Sequence, residues 1–212
     1  MADNSGITHS DVKKKRDFFD DKDFSDVIIK FGDKQVFAHK VILARGSLWF
    51  DKALSGNFSE ANKKVIELHD DVGSGAVMTM LKHIYGSNYK EQYLDEDDDA
   101  TVEMHHAVFI LGDKYDISSL REEAAARFEK FLAKESRDGE YYDATILTIQ
   151  KLLGPHAPQL ADKSLTERAT CFVYGDYKHL LCNYLFRALM AEGSMLHKDL
   201  AMEVLEMVSN QL

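Results

Sequence analysis

The chain has 212 residues, 45% hydrophobic and 29% charged, with 26 Lys+Arg against 36 Asp+Glu for a formal net charge of −10. These values suit a globular protein of one large or two small domains, able to bury roughly 70% of its unfolded surface. The acidic balance speaks against direct nucleic-acid binding, which needs surplus Lys and Arg, and no apolar run approaches the ~18–20 residues of a membrane span. The polar start, Met1-Ala2-Asp3-Asn4, lacks the apolar stretch of a secretory signal. Cys171 and Cys182 alone make no disulfide framework. An intracellular, reducing location in the cytoplasm and/or nucleus is the expectation.

Residues 1–23 carry eleven charges, including the run Lys13-Lys14-Lys15-Arg16. They read as an arm (1–20 in the domain division), with a short helix available to Val12, Phe18 and Phe19. A solvated charge run is favoured over a nuclear-import signal for the four basic residues. Val27, Ile29 and Phe31 then alternate, Gly32-Asp33-Lys34 supplies turn chemistry, and Gln35–His39 returns, so 26–39 is a predicted β-hairpin. Leu43, Ser47, Phe50 and Leu54 fall on one helical face. Val65–Leu68 is a predicted third strand. Val77, Leu81 and Ile84 mark a helix with Ser74 as its N-cap, ending before Gly86. The acids Asp95-Glu96-Asp97-Asp98-Asp99 predict a solvated loop, and they lack the spacing of a calcium loop. Val102, His106 and Phe109 mark a helix stopping near Gly112. Ile117, Leu120, Ala124, Phe128 and Phe131 mark another, which breaks at Ser136–Gly139. Four more helices follow, set by Ile146/Ile149/Leu153, Leu165/Phe172/Val173, Leu181/Tyr184/Leu185/Ala188 and Leu196/Leu200/Val204/Met207/Val208. The first of these is closed by Gly154-Pro155.

Chemistry is hard to find along this chain. Gly73-Ser74-Gly75 opens a helix but has Met78 where a dinucleotide-binding loop needs its third glycine. The nine histidines do not cluster as ligands, and His39 reads as a hydrogen-bonded structural residue. Neither cysteine has a His-plus-acid constellation. No catalytic set, no metal site and no cofactor is expected, and the protein is read as non-enzymatic.

One stretch is more specific. Phe24-Ser25-Asp26-Val27, Phe37-Ala38-His39-Lys40-Val41-Ile42-Leu43-Ala44, Ser47 and Phe50 closely resemble the opening of BTB/POZ domains. Phe58-Ser59-Glu60, Val65–Leu68, Ile84-Tyr85-Gly86 and Gly112-Asp113-Lys114-Tyr115-Asp116-Ile117 with Leu120 and Arg121 agree in order. The long acidic insertion looks like that of fungal members. The resemblance implies an α+β fold: a small three-stranded sheet flanked by helical hairpins over residues 21–134, followed by an all-helical extension over 138–212. It also implies a protein–protein interaction platform, and a homodimer through the first helix and the arm residues Val12, Phe18 and Phe19.

The family's charged pair maps onto Asp26 and Lys40, expected here as a buried structural ion pair. In family members that hold a cullin scaffold of a ubiquitin ligase, a hydrophobic residue, any residue and Glu form part of the contact. Phe58 and Glu60 match that spacing. Kelch repeats, a MATH domain, zinc fingers and channel segments are not seen, so the client protein has no assigned home. The leading expectation is a homodimeric adaptor or scaffold, with a possible cullin partner, no direct nucleic-acid contact and no membrane. The alternative is a nuclear, transcription-associated scaffold module without a ubiquitin-ligase role.

Overall fold

The computed structural model describes residues 16–56, 58–69, 72–87, 98–138 and 141–209. Alternation puts Val27, Ile29 and Phe31 of strand β1 (Val27–Phe31) into the core. A two-residue turn, with Gly32 at φ 53°, returns the chain into β2 (Lys34–Ala38), antiparallel to β1 with Ile29 opposite Val36. Strand β3 (Val65–Glu67) pairs parallel to β1, giving the order β2-β1-β3. Strand β2 is therefore an edge. The carboxylate of Asp20 accepts the Phe37 N–H there at 2.9 Å.

The face predicted as one helix is two helices, α1 (Lys40–Gly46) and α2 (Leu48–Ser55). They break at Ser47, whose backbone is extended and whose hydroxyl accepts the Phe50 N–H at 3.1 Å as the N-cap of α2. Leu43, Ser47 and Phe50 are nonetheless all buried. Helix α3 (Gly73–Ile84) starts two residues earlier than an N-cap at Ser74 predicts. Its N-cap is Val72, with no side-chain hydrogen bond, and Ser74 lies inside the first turn. Gly86, at φ 84°, follows its end.

Helix α4 (Asp98–Lys114) takes in Asp98 and Asp99 from the predicted acidic loop. Asp95–Asp97 lie outside the described residues. The helix also runs past Gly112. Its left-handed terminating residue is Asp116 (φ 51°), with the Ile117 N–H on the Gly112 carbonyl at 2.8 Å and the Asp116 N–H on that of Asp113 at 3.3 Å. Gly112 serves packing, since a Cβ there would stand 2.9 Å from Arg121 Cγ.

Helix α5 (Ser118–Asp138) continues through the predicted break at Ser136–Asp138, while Gly139 lies outside the described residues. Four helices follow: α6 (Asp143–Leu153), α7 (Ser164–Leu180), α8 (Tyr184–Ala191) and α9 (Lys198–Ser209). Helix α6 packs on α4, and α7 packs on α5. One buried apolar cluster runs from Val27 of the sheet through Phe109 and Phe128 to Leu165 and Val204. The later helices thus share the core of the earlier ones.

Candidate functional site

The end of β2 leads straight into α1, so His39 stands at a junction where strand, helix and arm meet. It is buried, and its Nε2 lies 3.2 Å from the Asp23 carbonyl oxygen, which can only accept. That contact calls for a proton on Nε2, and in the tautomer that carries it there Nδ1 is an acceptor. The Tyr85 hydroxyl then donates to Nδ1 at 3.0 Å and accepts the His39 backbone N–H at 2.8 Å. Burial pushes the Tyr85 phenol up to about 12. His39 is thus the hydrogen-bonded structural residue its position predicts.

Asp26 and Lys40 meet here as well, though not as the expected buried ion pair. Asp26 is exposed, and its Oδ1 accepts the Lys40 backbone N–H at 2.8 Å, satisfying a first-turn donor of α1. The Lys40 ammonium reaches the other way, donating to the Ala61 carbonyl at 2.7 Å. Backbone groups therefore mediate the link.

The arm residues fold back onto their own chain. Phe18 sets its edge on the His39 ring with centroids 5.7 Å apart, and Phe19 does the same on Tyr85 at 5.5 Å. The Arg16 guanidinium lies over the rings of Phe18 and Phe24 and donates to Asp21 at 2.9 Å and Asp23 at 2.8 Å. The backbone N–H of Asp23, and then Arg16, hold the Asp21 carboxyl below its usual range. Val12 lies outside the described residues. Three apolar side chains between the arm and the start of α2 stay in water: Phe24 (79% exposed, φ 63°), Val41 (75%) and Leu48 (54%). None of the three was singled out as a contact residue from the sequence. The available signal was that Val41 and Leu48 lie off the apolar face defined by Leu43, Ser47 and Phe50.

Phe58 precedes a short 3-10 turn, Ser59–Asn62, as its N-cap and is 61% exposed. Glu60 sits in that turn, with Lys63 Nζ donating to Oε1 at 3.0 Å. The Lys63 contact, assisted by local backbone and Ser59 donors, holds its carboxyl below the ordinary value. Phe58 and Glu60 thus lie two residues apart at the start of one surface turn.

Among the described residues no group of three or more His, Cys, Asp and Glu side chains could hold a metal ion, and no helix is long and apolar enough to cross a membrane. The BTB/POZ domain family matches residues 16–132, more than half of the chain. The chain belongs to the BTB/POZ family. It is a protein–protein interaction module of α+β fold, a small mixed sheet with helices, continued by further helices. A similar curated protein is the kelch repeat protein M-T9 of Myxoma virus (strain Lausanne), 28% identical over 110 residues. That match covers 52% of this chain and 20% of the viral protein, so the chain spans about a fifth of that relative's length.

The BTB domain is tied to the helices beyond it at the α4–α5 turn. The Asp113 carboxylate accepts the N–H groups of Ala161 at 2.9 Å and Asp162 at 3.0 Å, and Arg121 Nε donates to Asp162 Oδ2 at 2.9 Å. Burial pushes the Asp162 carboxyl up, but hydrogen bonds from Ser164 and Arg121 outweigh it and leave it below its usual range.

Proposed function

We propose that this chain is an adaptor or scaffold that pairs with a second copy of itself and contacts a cullin-type ubiquitin-ligase scaffold, without bond-making of its own. The exposed Phe58 beside Glu60 is the observation that carries the cullin reading. An aromatic ring held in water at the head of a short turn is available to fill a partner's pocket, and buried aromatic anchors supply most of the binding energy at interfaces. Glu60 is paired with Lys63 at the surface, where water screens the attraction, so it can exchange that partner readily.

The self-pairing reading is supported by Phe24, just ahead of β1, and by Val41 and Leu48 on the first two helices, which leave apolar area uncovered. In the division proposed, residues 21–134 form the docking domain and 138–212 a helical extension available to a client. The work would take place in the cytoplasm and/or nucleus.

The cullin reading is tested by co-purification of the chain with a cullin scaffold, comparing wild type with the double variant Phe58→Ala/Glu60→Ala. Capture is expected to be lost in the variant. Undiminished capture removes these two residues from the interface. Size-exclusion chromatography with light scattering tests self-pairing: a dimer is expected for wild type and a monomer for Val41→Glu/Leu48→Glu. A wild-type monomer at tens of micromolar overturns it.

A further inference from the structure

Helices α5 and α7 diverge to leave an open groove of about 730 Å³. Leu132 and Ala133 from α5 and Phe172 from α7 give it apolar walls. Its charged lining is three carboxylates against one guanidinium, and Arg168 is already engaged with Glu129 across the groove. Asp176 sits deep, accepting from the Tyr141 hydroxyl and contacting the His179 ring at 3.1 Å. Glu167 lies exposed at the edge. The groove is apolar inside and carries surplus negative charge.

Gly175 lines the same groove from the interior of α7. Glycine destabilises a helix interior relative to alanine, and neither usual structural reason for it applies here. Its φ is not in the left-handed region. A Cβ built on it would meet no atom within 4 Å. The bare backbone faces open space, a condition that suits close approach by another chain.

We propose that the α5–α7 groove docks a basic amphipathic helix of a partner protein. An apolar side chain of that helix packs against Leu132 and Phe172, a lysine or arginine meets Glu167, and its backbone crosses at Gly175. Charge complementarity selects a basic partner over an acidic one, and seating an apolar stripe in a groove is a recurrent mode of helix recognition. The groove shares no residue with the Phe58–Glu60 turn, so this proposal stands independently of the cullin reading.

The two cysteines supply the test. Both are exposed, but Cys171 lines the groove and Cys182 does not. The full chain is reacted with a maleimide, alone and with a short amphipathic Leu/Lys peptide or its Leu/Glu counterpart, and each cysteine is followed by mass spectrometry. Saturating Leu/Lys peptide is expected to slow Cys171 modification by about tenfold or more, leaving Cys182 unchanged, with no effect from Leu/Glu. Gly175→Leu, which fills the crossing point, is expected to abolish protection while the protein stays folded. Gly175→Ala is expected to raise the unfolding temperature by about 2–4 °C while weakening protection. Absence of protection, equal slowing at both cysteines, equal effect of both peptides, or full protection in Gly175→Leu would each overturn the proposal.

Discussion

The Ser47 hydroxyl donates to the Tyr115 carbonyl oxygen at 2.6 Å, joining the α1–α2 junction to the α4–α5 turn across 68 residues of sequence. The Ser47 hydroxyl oxygen also accepts the Phe50 N–H, and the Ser47 backbone N–H donates to the Leu43 carbonyl at 3.0 Å, so one buried residue ends one helix, starts the next and anchors both to a distant turn. The aromatic packing follows this anchor. Phe50 stacks on Tyr115 at 5.6 Å, and Trp49 sets its edge on Tyr115 at 5.1 Å. Ser47→Ala removes both a helix cap and a buried hydrogen bond to the Tyr115 carbonyl, for an expected loss of about 2–3 kcal/mol in urea unfolding. A loss within about 0.5 kcal/mol, the range of ordinary surface substitutions, contradicts the anchoring role.

Gly112→Ala is expected to destabilise, against helix propensity. Alanine gains roughly 0.5–1 kcal/mol as a helix former, but its Cβ would stand 2.9 Å from Arg121 Cγ and 3.2 Å from the Arg121 backbone nitrogen. Backbone cannot step aside as a flexible side chain can, and overpacking of this kind costs about 1–3 kcal/mol. A lower thermal midpoint for Gly112→Ala, set beside a higher one for Gly175→Ala, would separate crowding from propensity within a single chain.

Much of this architecture was legible in the sequence because burial imposes a period. Val27/Ile29/Phe31 announced a strand, and Ile117/Leu120/Ala124/Phe128 a helix, from spacing alone. The break at Ser47 was hidden by the same logic, since Leu43, Ser47 and Phe50 face the core whether or not the helix is continuous. The end of α4 was misplaced because glycine usually takes the left-handed position, whereas Asp116 takes it here and Gly112 answers to Arg121. For the proposed site, Phe58 and Glu60 come from resemblance to the family, and their exposure on a turn carried no periodic signal. Exposure of Val41 and Leu48 required knowing which helical face the core had already claimed.

Acid should weaken the fold through two adjacent histidines of α4. Burial, then Arg127, lowers His105 to about 4; burial, then Lys151, does the same for His106, with Glu103 opposing. Below the ordinary value of 6.5 the unfolded chain takes up these protons while the folded chain does not, so stability present above pH 6.5 falls as pH drops toward 4. Urea unfolding of wild type between pH 7 and 4 should show this slope. His105→Gln and His106→Gln should each flatten it. Unchanged slopes in both variants would assign the acid response elsewhere.

At the alkaline end the sign reverses. The Tyr85 phenol, pushed up to about 12 by burial, holds its proton in the folded state after the unfolded chain has begun to release it near 10. Stability is whole below pH 10 and declines from there toward 12. Tyr85→Phe should remove that decline and cost about 1–3 kcal/mol at neutral pH, because His39 loses both a donor to its ring and an acceptor for its N–H. An alkaline decline of equal size in Tyr85→Phe would show that Tyr85 does not produce it.

Asp113→Ala tests the tie between the domain and the helices beyond it. Two backbone amides lose their acceptor, so hydrogen exchange at Ala161 and Asp162 should quicken by about tenfold, while the strands keep their protection. Uniform acceleration across the chain would indicate global weakening instead.

The carboxylate that Asp20 lays against the Phe37 amide has a consequence for how copies of this molecule can meet. A fibre built by adding strands begins at an unguarded sheet margin, and on the β2 side the newcomer must first evict an anion from a donor it already satisfies. Polymerisation along that margin is thereby discouraged. Contacts made through side chains on helices and turns remain free to close into finite assemblies.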